Sequence, residues 1–227
     1  ALVAIVFLLA FVAPGIAGFA AKSIAEDRVV FFNSEYDDIG RIKLEDYQRN
    51  WFSSTAVISA RFNDSYRDQF MAMINADLAN EADLIELYKT ALDGKLLFMI
   101  TLNHGPVMVN DGMKMGLGSA VTELDASSGD LKRLREYLGV PYLLRQYSQL
   151  GFSGLTSFYG DAPPFEVDQA TTVVQFSGFS YEGTANIYSG EIIFEAGYDD
   201  LSFDALSGKT TISGFSYTGN HQLIQPA

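Results

Sequence analysis

The segment Thr55-Ala56-Val57-Ile58-Ser59-Ala60-Arg61-Phe62, "TAVISARF", alternates strictly between two sides. Thr55, Val57, Ser59 and Arg61 fall on one, and Ala56, Ile58, Ala60 and Phe62 on the other. A two-residue period with one apolar side is the pattern of a half-buried β-strand. Upstream, "RVVFFN" (28–33) and "RIKLED" (41–46) read as further short strands around the turn-like "YDDIG" (36–40).

Downstream the period changes. Across residues 64–92, Phe70, Ile74, Leu78, Ile85, Tyr88 and Leu92 recur at helical steps, with Asn63 or Asp64 able to cap the start and Gly94 marking the stop. Met71 and Met73 in this stretch read as core filling or as simply exposed sooner than as a ligand surface. "KLLFMITL" (95–102) returns to strand character. A second helical patch follows in 127–151, where Ser127, Ser128 or Asp130 can cap and Leu131, Leu134 and Leu138 share a face. Gly139 ends its first piece, and Pro141 can open a second at its first turn.

After Gly151 aromatic and β-branched residues alternate with Ser, Thr and Gly. "SGFSYEG" (177–183) returns as "SGFSYTG" (213–219), which places Phe179 and Phe215 equivalently in successive strand-and-turn units of one antiparallel sheet.

The first 21 residues, "ALVAIVFLLAFVAPGIAGFAA", hold no charge before Lys22. As a helix they would reach roughly 31 Å, the thickness of a bilayer's hydrocarbon core. Pro14-Gly15 would bend such a helix without breaking it, because membrane helices tolerate these residues. A cleaved signal peptide is the rival reading, with Gly18-Phe19-Ala20 as a small-x-small site. A pilin-like filament core is set aside because Ile5 stands where a glutamate is required. The expectation is therefore an uncleaved signal anchor over residues 1–22, with the rest exported to the periplasm.

The expected class is α+β: an N-terminal transmembrane helix, then a periplasmic domain dominated by extended antiparallel sheet with a few helices. Its expected divisions are 1–22 (anchor), 23–150 (mixed α and β) and 151–227 (β-rich). A formal charge of −13 argues against a nucleic-acid partner. The densest basic group, Lys132, Arg133 and Arg135, reads as a solvated helix face. Absence of cysteine excludes disulfides, thiolate metal sites and thiol nucleophiles.

Only a few residues invite a chemical reading. His104, in "LNHGPVMV" (102–109), could be a base with Asp111 as its orienting acid, but no serine elbow accompanies it. His221 is the only other imidazole, and no metal-ligand spacing joins the two. Gly105 and Pro106 explain the motif as a rigid turn, which makes His104, Gly105 and Pro106 structural. Asp37-Asp38 and Asp199-Asp200, with Asp204 nearby, lack the ligand density of a calcium loop and read as solvated loop acids. "GMKMGLG" (112–118) lacks the ending of a phosphate loop. Trp51 is expected as a buried cross-strand aromatic. No cofactor and no metal are expected.

Three segments in order resemble the YdgA-like family of bacterial envelope proteins of unknown function: "YQRNWFSSTAVIS" (47–59), "NHGPV" (103–107) and "GDAPPFEV" (160–167). Asn50 departs from the glycine usual there, and 64–92 looks like a variable insertion. The resemblance implies an inner-membrane-anchored, periplasm-facing, β-rich protein and supplies no catalytic residues. The functional expectation is a non-enzymatic membrane-anchored scaffold or accessory subunit, in contact with the bilayer through residues 1–22 and with other membrane or periplasmic subunits. Alternatives are a carrier of lipid or another apolar ligand in a sheet groove, and then a hydrolase using His104.

Overall fold

In the computed structural model "TAVISARF" forms all but the first two residues of strand β2 (Ser53–Phe62), and the period holds except at Ser59, which is buried where it donates to Glu45. Ser54, Ala56 and Ile58 are buried, whereas Thr55 and Arg61 on the opposite side are exposed. The structure describes residues 21–50, 53–77, 89, 94–104, 107–108, 114–115, 118–151, 153–169, 172–186, 188–205 and 208–222.

In chain order the elements are α1 (Ala21–Glu35), β1 (Gly40–Arg49), β2, α2 (Asp64–Asp77), β3 (Leu96–His104), β4 (Val107–Met108) and β5 (Lys114–Met115). There follow β6 (Gly118–Leu124), α3 (Gly129–Leu138), β7 (Arg145–Leu150), β8 (Leu155–Ala162), β9 (Phe165–Gln169) and β10 (Thr172–Phe176). The last three are β11 (Phe179–Asn186), β12 (Glu191–Ala205) and β13 (Gly208–Gln222). Eleven strands make one antiparallel sheet, and β4 pairs β5 separately. The described chain is thus mostly antiparallel sheet with few helices.

The sheet runs β1, β2, β3, β6, β7, β8, β11, β12, with β13 beyond β12. It forks along β12. That strand pairs β11 as far as Gly197, then takes β10 from Leu201 onward, while β13 lies along its whole other edge. Ser177 holds the fork: its N–H donates to Asp200 O at 3.0 Å, and its Oγ accepts from Asp200 N–H at 2.8 Å. The expected division at Gly151 falls in the β7–β8 turn, where the two strands pair directly.

One face is packed. Near β1 it holds Ile42, Ile58, Phe98, Ile100 and Leu102, with Val29 and Phe32 of α1 against them. Towards β13 the packing becomes a checkerboard of large and small residues, the arrangement that lets neighbouring strands interdigitate without voids. Phe158 and Gly160 on β8 stand opposite Gly183 and Tyr181 on β11. These in turn stand opposite Phe194 and Ala196 on β12, which face Gly219 and Tyr217 on β13. The two copies of the repeat therefore flank β12 in the same register, Tyr181 and Tyr217 on either side of Ala196.

Helix boundaries follow local chemistry. Asn63 Oδ1 accepts from Tyr66 N–H at 2.9 Å and caps α2, while its Nδ2 donates to Asp37 O and Asp38 O, both at 2.6 Å. Gly139 ends α3 at φ 67°, a left-handed conformation that glycine adopts without strain. Lys132 and Arg133 lie exposed on α3 beside Glu136 and Asp130, as a solvated helix face requires.

Three expectations are corrected. Residues 28–33 are helical, as part of α1, because a short apolar run reads alike in either state and here Val29 and Phe32 share one helix face against Ile42. Pro141 opens no helix: Arg145–Leu150 form β7, whose Gln146, Ser148 and Leu150 point into the packed face. Asp199 and Asp200 are exposed as expected but belong to strand β12 and not to a loop. Among the described residues no helix is long and apolar enough to cross a membrane. The expected anchor lies largely outside the described residues, as do Trp51, Asp111 and the expected helix beyond Asp77 except Lys89.

Candidate functional site

The other face of the sheet is open and carries a trough of about 800 Å3 across β6, β7, β8, β11, β12 and β13. Two cross-strand rows build its floor. One runs Val121, Tyr147, Tyr159, Glu182, Glu195, Thr218; the next runs Ser119, Gln149, Ser157, Thr184, Ile193. Each residue lies on this face because its strand neighbours occupy the packed face, and the period of two leaves no other choice.

Tyr147, Tyr159 and Ile193 are 43%, 45% and 46% exposed, so the trough presents wide apolar surface to solvent. Exposed apolar surface that is contiguous and rimmed by polar groups marks a binding surface. Burial of its ring edge, with Asp161, Glu182 and Tyr147 nearby, raises the Tyr159 phenol above its ordinary pKa. It stays protonated at neutral pH and is a hydrogen-bond donor, not a base.

A polar network borders the rows on the side of β7. Arg145 Nη2 donates to Glu123 Oε1 at 2.6 Å, and its Nε reaches the same oxygen at 2.9 Å. The guanidinium lies 4.1 Å from the centre of the Tyr142 ring. Tyr142 Oη donates to Asp161 Oδ2 at 2.5 Å, and that bond, with burial and the carboxylate charge, lifts the phenol to about 12. The border is thus fixed in place and reaches the floor where Arg145 Nη1 donates to Tyr147 Oη at 3.3 Å, while the floor keeps exposed apolar area. At the far end Glu182 and Glu195 stand directly opposite each other, so that end is acidic. The trough can hold an elongated apolar body with polar or cationic groups at one end.

Sequence reading singled out His104, Gly105 and Pro106. His104 ends β3, its backbone opposite Gly118, and Gly105 and Pro106 lie outside the described residues. The row that starts at His104 passes Gly118, Leu150, Thr156, Ala185 and Ile192 and ends at His221. The two histidine positions are therefore six strand spacings of about 4.8 Å apart, too far to share one ion. Among the described residues no three His, Asp or Glu side chains are grouped to hold a metal.

The trough residues escaped the sequence reading. Their only signal was aromatic residues at the polar positions of alternating strands, as in Tyr147 between Gln146 and Ser148.

A family described as "Bacterial protein of unknown function (DUF945)" matches residues 1–226, and this chain belongs to that family. No curated protein and no solved structure matches the chain.

Proposed function

We propose that this family member is a non-enzymatic envelope protein that serves as a scaffold or accessory subunit of a larger membrane assembly. In this reading residues 1–22 anchor it in the bacterial inner membrane, and the sheet stands in the periplasm. The resemblance of its three segments to the YdgA-like proteins supports the location. The observation that carries the role is the open trough, whose exposed Tyr147, Tyr159 and Ile193 offer a broad recognition surface. Affinity purification in mild detergent tests it. Defined subunits should accompany the wild-type chain and be lost from Tyr147→Asp/Tyr159→Asp; recovery of the chain alone counts against a scaffold.

A second reading, a carrier of lipid or another apolar ligand, is favoured by the trough's volume and by its acidic end at Glu182 and Glu195. Native mass spectrometry after gentle extraction should then show a bound small molecule, and a repeatedly empty protein removes this reading.

A further inference from the structure

The two edges of the sheet differ. At β1 a side chain occupies the edge: Asn33 Nδ2 donates to Ile42 O at 2.9 Å, and its Oδ1 accepts from Ile42 N–H at 2.8 Å. The amide of α1 thus takes the place of a neighbouring strand. At β13 all residues from Thr211 to Thr218 are exposed, and among the described residues β13 pairs only with β12. Fifteen residues of edge contain no proline and no carboxylate, and Lys209 is the one permanent charge. Edges left open are ordinarily blunted by such residues.

The repeat says what this edge fits. In the inner copy, Phe179 and Tyr181 are 8% and 1% exposed, because β8 covers the far side of β11. In the outer copy the equivalent Phe215 and Tyr217 are 46% and 38% exposed. β8 matches β11 because each carries an aromatic-x-glycine triplet: Phe158 lies opposite Gly183, and Gly160 opposite Tyr181. Two antiparallel strands with this triplet are reciprocally complementary, large against small at both positions. Tyr217-Thr218-Gly219 is the same triplet, so β13 is complementary to itself.

We propose that β13 pairs antiparallel with β13 of a second copy of this chain, joining two sheets into one across a two-fold axis. The register that seats Tyr217 against the partner's Gly219 makes positions in each pair sum to 436, so Thr218 faces Thr218 on the axis and the overlap spans residues 214–222 of each copy. Charge agrees with this occupant. Each chain carries −13 overall, but the overlap brings no carboxylate from either copy and leaves Lys209 outside it. Glu195, opposite Thr218 on β12, stays one strand back from the axis and three strand spacings, about 14 Å, from its counterpart, beyond a Debye length at physiological salt. The pairing uses the backbone edge of the sheet and shares one residue, Thr218, with the trough floor.

The chain has no cysteine, so one introduced thiol reports the register. In the full chain in mild detergent, oxidised Thr218→Cys should give a disulfide-linked dimer in high yield. Ser216→Cys, which faces position 220 of the other copy, should stay largely monomeric. Thr218→Lys sets like charges opposite each other on the axis and should turn a wild-type dimer into a monomer by sedimentation, with an unchanged circular dichroism spectrum. A monomeric wild type, equal dimer yields from the two cysteine variants, or linkage of the thiol introduced by Thr218→Cys to a different polypeptide overturns the proposal. A monomer that still recovers subunits on affinity purification overturns it too, and leaves the scaffold function standing.

Discussion

The ring of Tyr181 lies across Gly160, the residue directly opposite it on β8, and its Oη donates to Gln146 Oε1 at 2.8 Å. A Cβ at position 160 would fall inside the ring's own space. Glycine is normally a weak strand residue, but here the missing side chain lets an aromatic from the next strand cover the backbone. Gly183 repeats the arrangement one pair along: a Cβ there would come 2.7 Å from Phe158 Cζ.

Gly160→Val should accordingly destabilise the fold by about 2–3 kcal/mol, the cost of overpacking a filled core. Urea denaturation checks it, since the midpoint should fall while the slope is kept. An unchanged midpoint would place the Tyr181 ring elsewhere.

Thr156 is fully buried, and its Oγ1 has no hydrogen-bond partner among the described residues. Thr156→Val keeps the shape and removes the unpaired hydroxyl, and should raise stability by about 1 kcal/mol. Thermal melting of the two proteins side by side is sufficient. A loss on substitution would show that the hydroxyl is bonded in solution.

Glu45 accepts from Lys95 Nζ at 2.6 Å, Ser59 Oγ at 2.8 Å and Lys43 Nζ at 3.0 Å. These hydrogen bonds, Lys95 first, lower its pKa from 4.5 to about 2. A carboxylate depressed in the folded state contributes stability that is complete above its unfolded value and fades as pH falls through the folded one. The contribution is therefore present above pH 4.5 and lost between there and about 2. Glu45→Gln should flatten the decline of the urea midpoint over that window and leave the shape of the curve above pH 6 unaltered. An identical acid slope in both proteins would refute the role of Glu45.

Glu182 and Glu195 face each other on the open side of adjacent strands. Like charges directly opposite are destabilising, so Glu195→Lys should gain about 0.5 kcal/mol at low salt, with the gain shrinking as salt is added. Chemical denaturation at two ionic strengths separates this from a salt-independent effect.

Much of the fold is legible residue by residue. The alternation at 55–62 gave β2 its faces, and the helical start at Asn63 and the stop at Gly139 follow from cap chemistry. The "SGFSY" repeat announced two equivalent strands, because matching large and small residues at a two-residue period imposes one register. Residues 28–33 were not legible, since "RVVFFN" is apolar and β-branched enough for a strand, and its Val29 and Phe32 find the core cluster around Ile42 and Ile58 only in the folded chain. Nor was the trough, because Val121, Tyr147 and Tyr159 come together only through the register of three separate strands. Periodicity assigns a side chain to a face, whereas pairing decides its neighbours.

The fork on β12 also governs how the chain can fold. Most neighbours in the sheet are consecutive strands, and those joined by tight turns, such as β7 with β8, close short loops and pair rapidly. Three pairings are not consecutive: β3 with β6, β10 with β12, and β8 with β11, which must meet across the β9–β10 hairpin. That hairpin can form on its own but has no edge to dock on until β12 arrives, and Ser177 cannot reach Asp200 before then. The last half of β12 is thus the clasp that closes the nucleus. Slowing it, by Ser177→Ala for instance, would lengthen the lifetime of a state in which the first eight strands are paired and the hairpin hangs free.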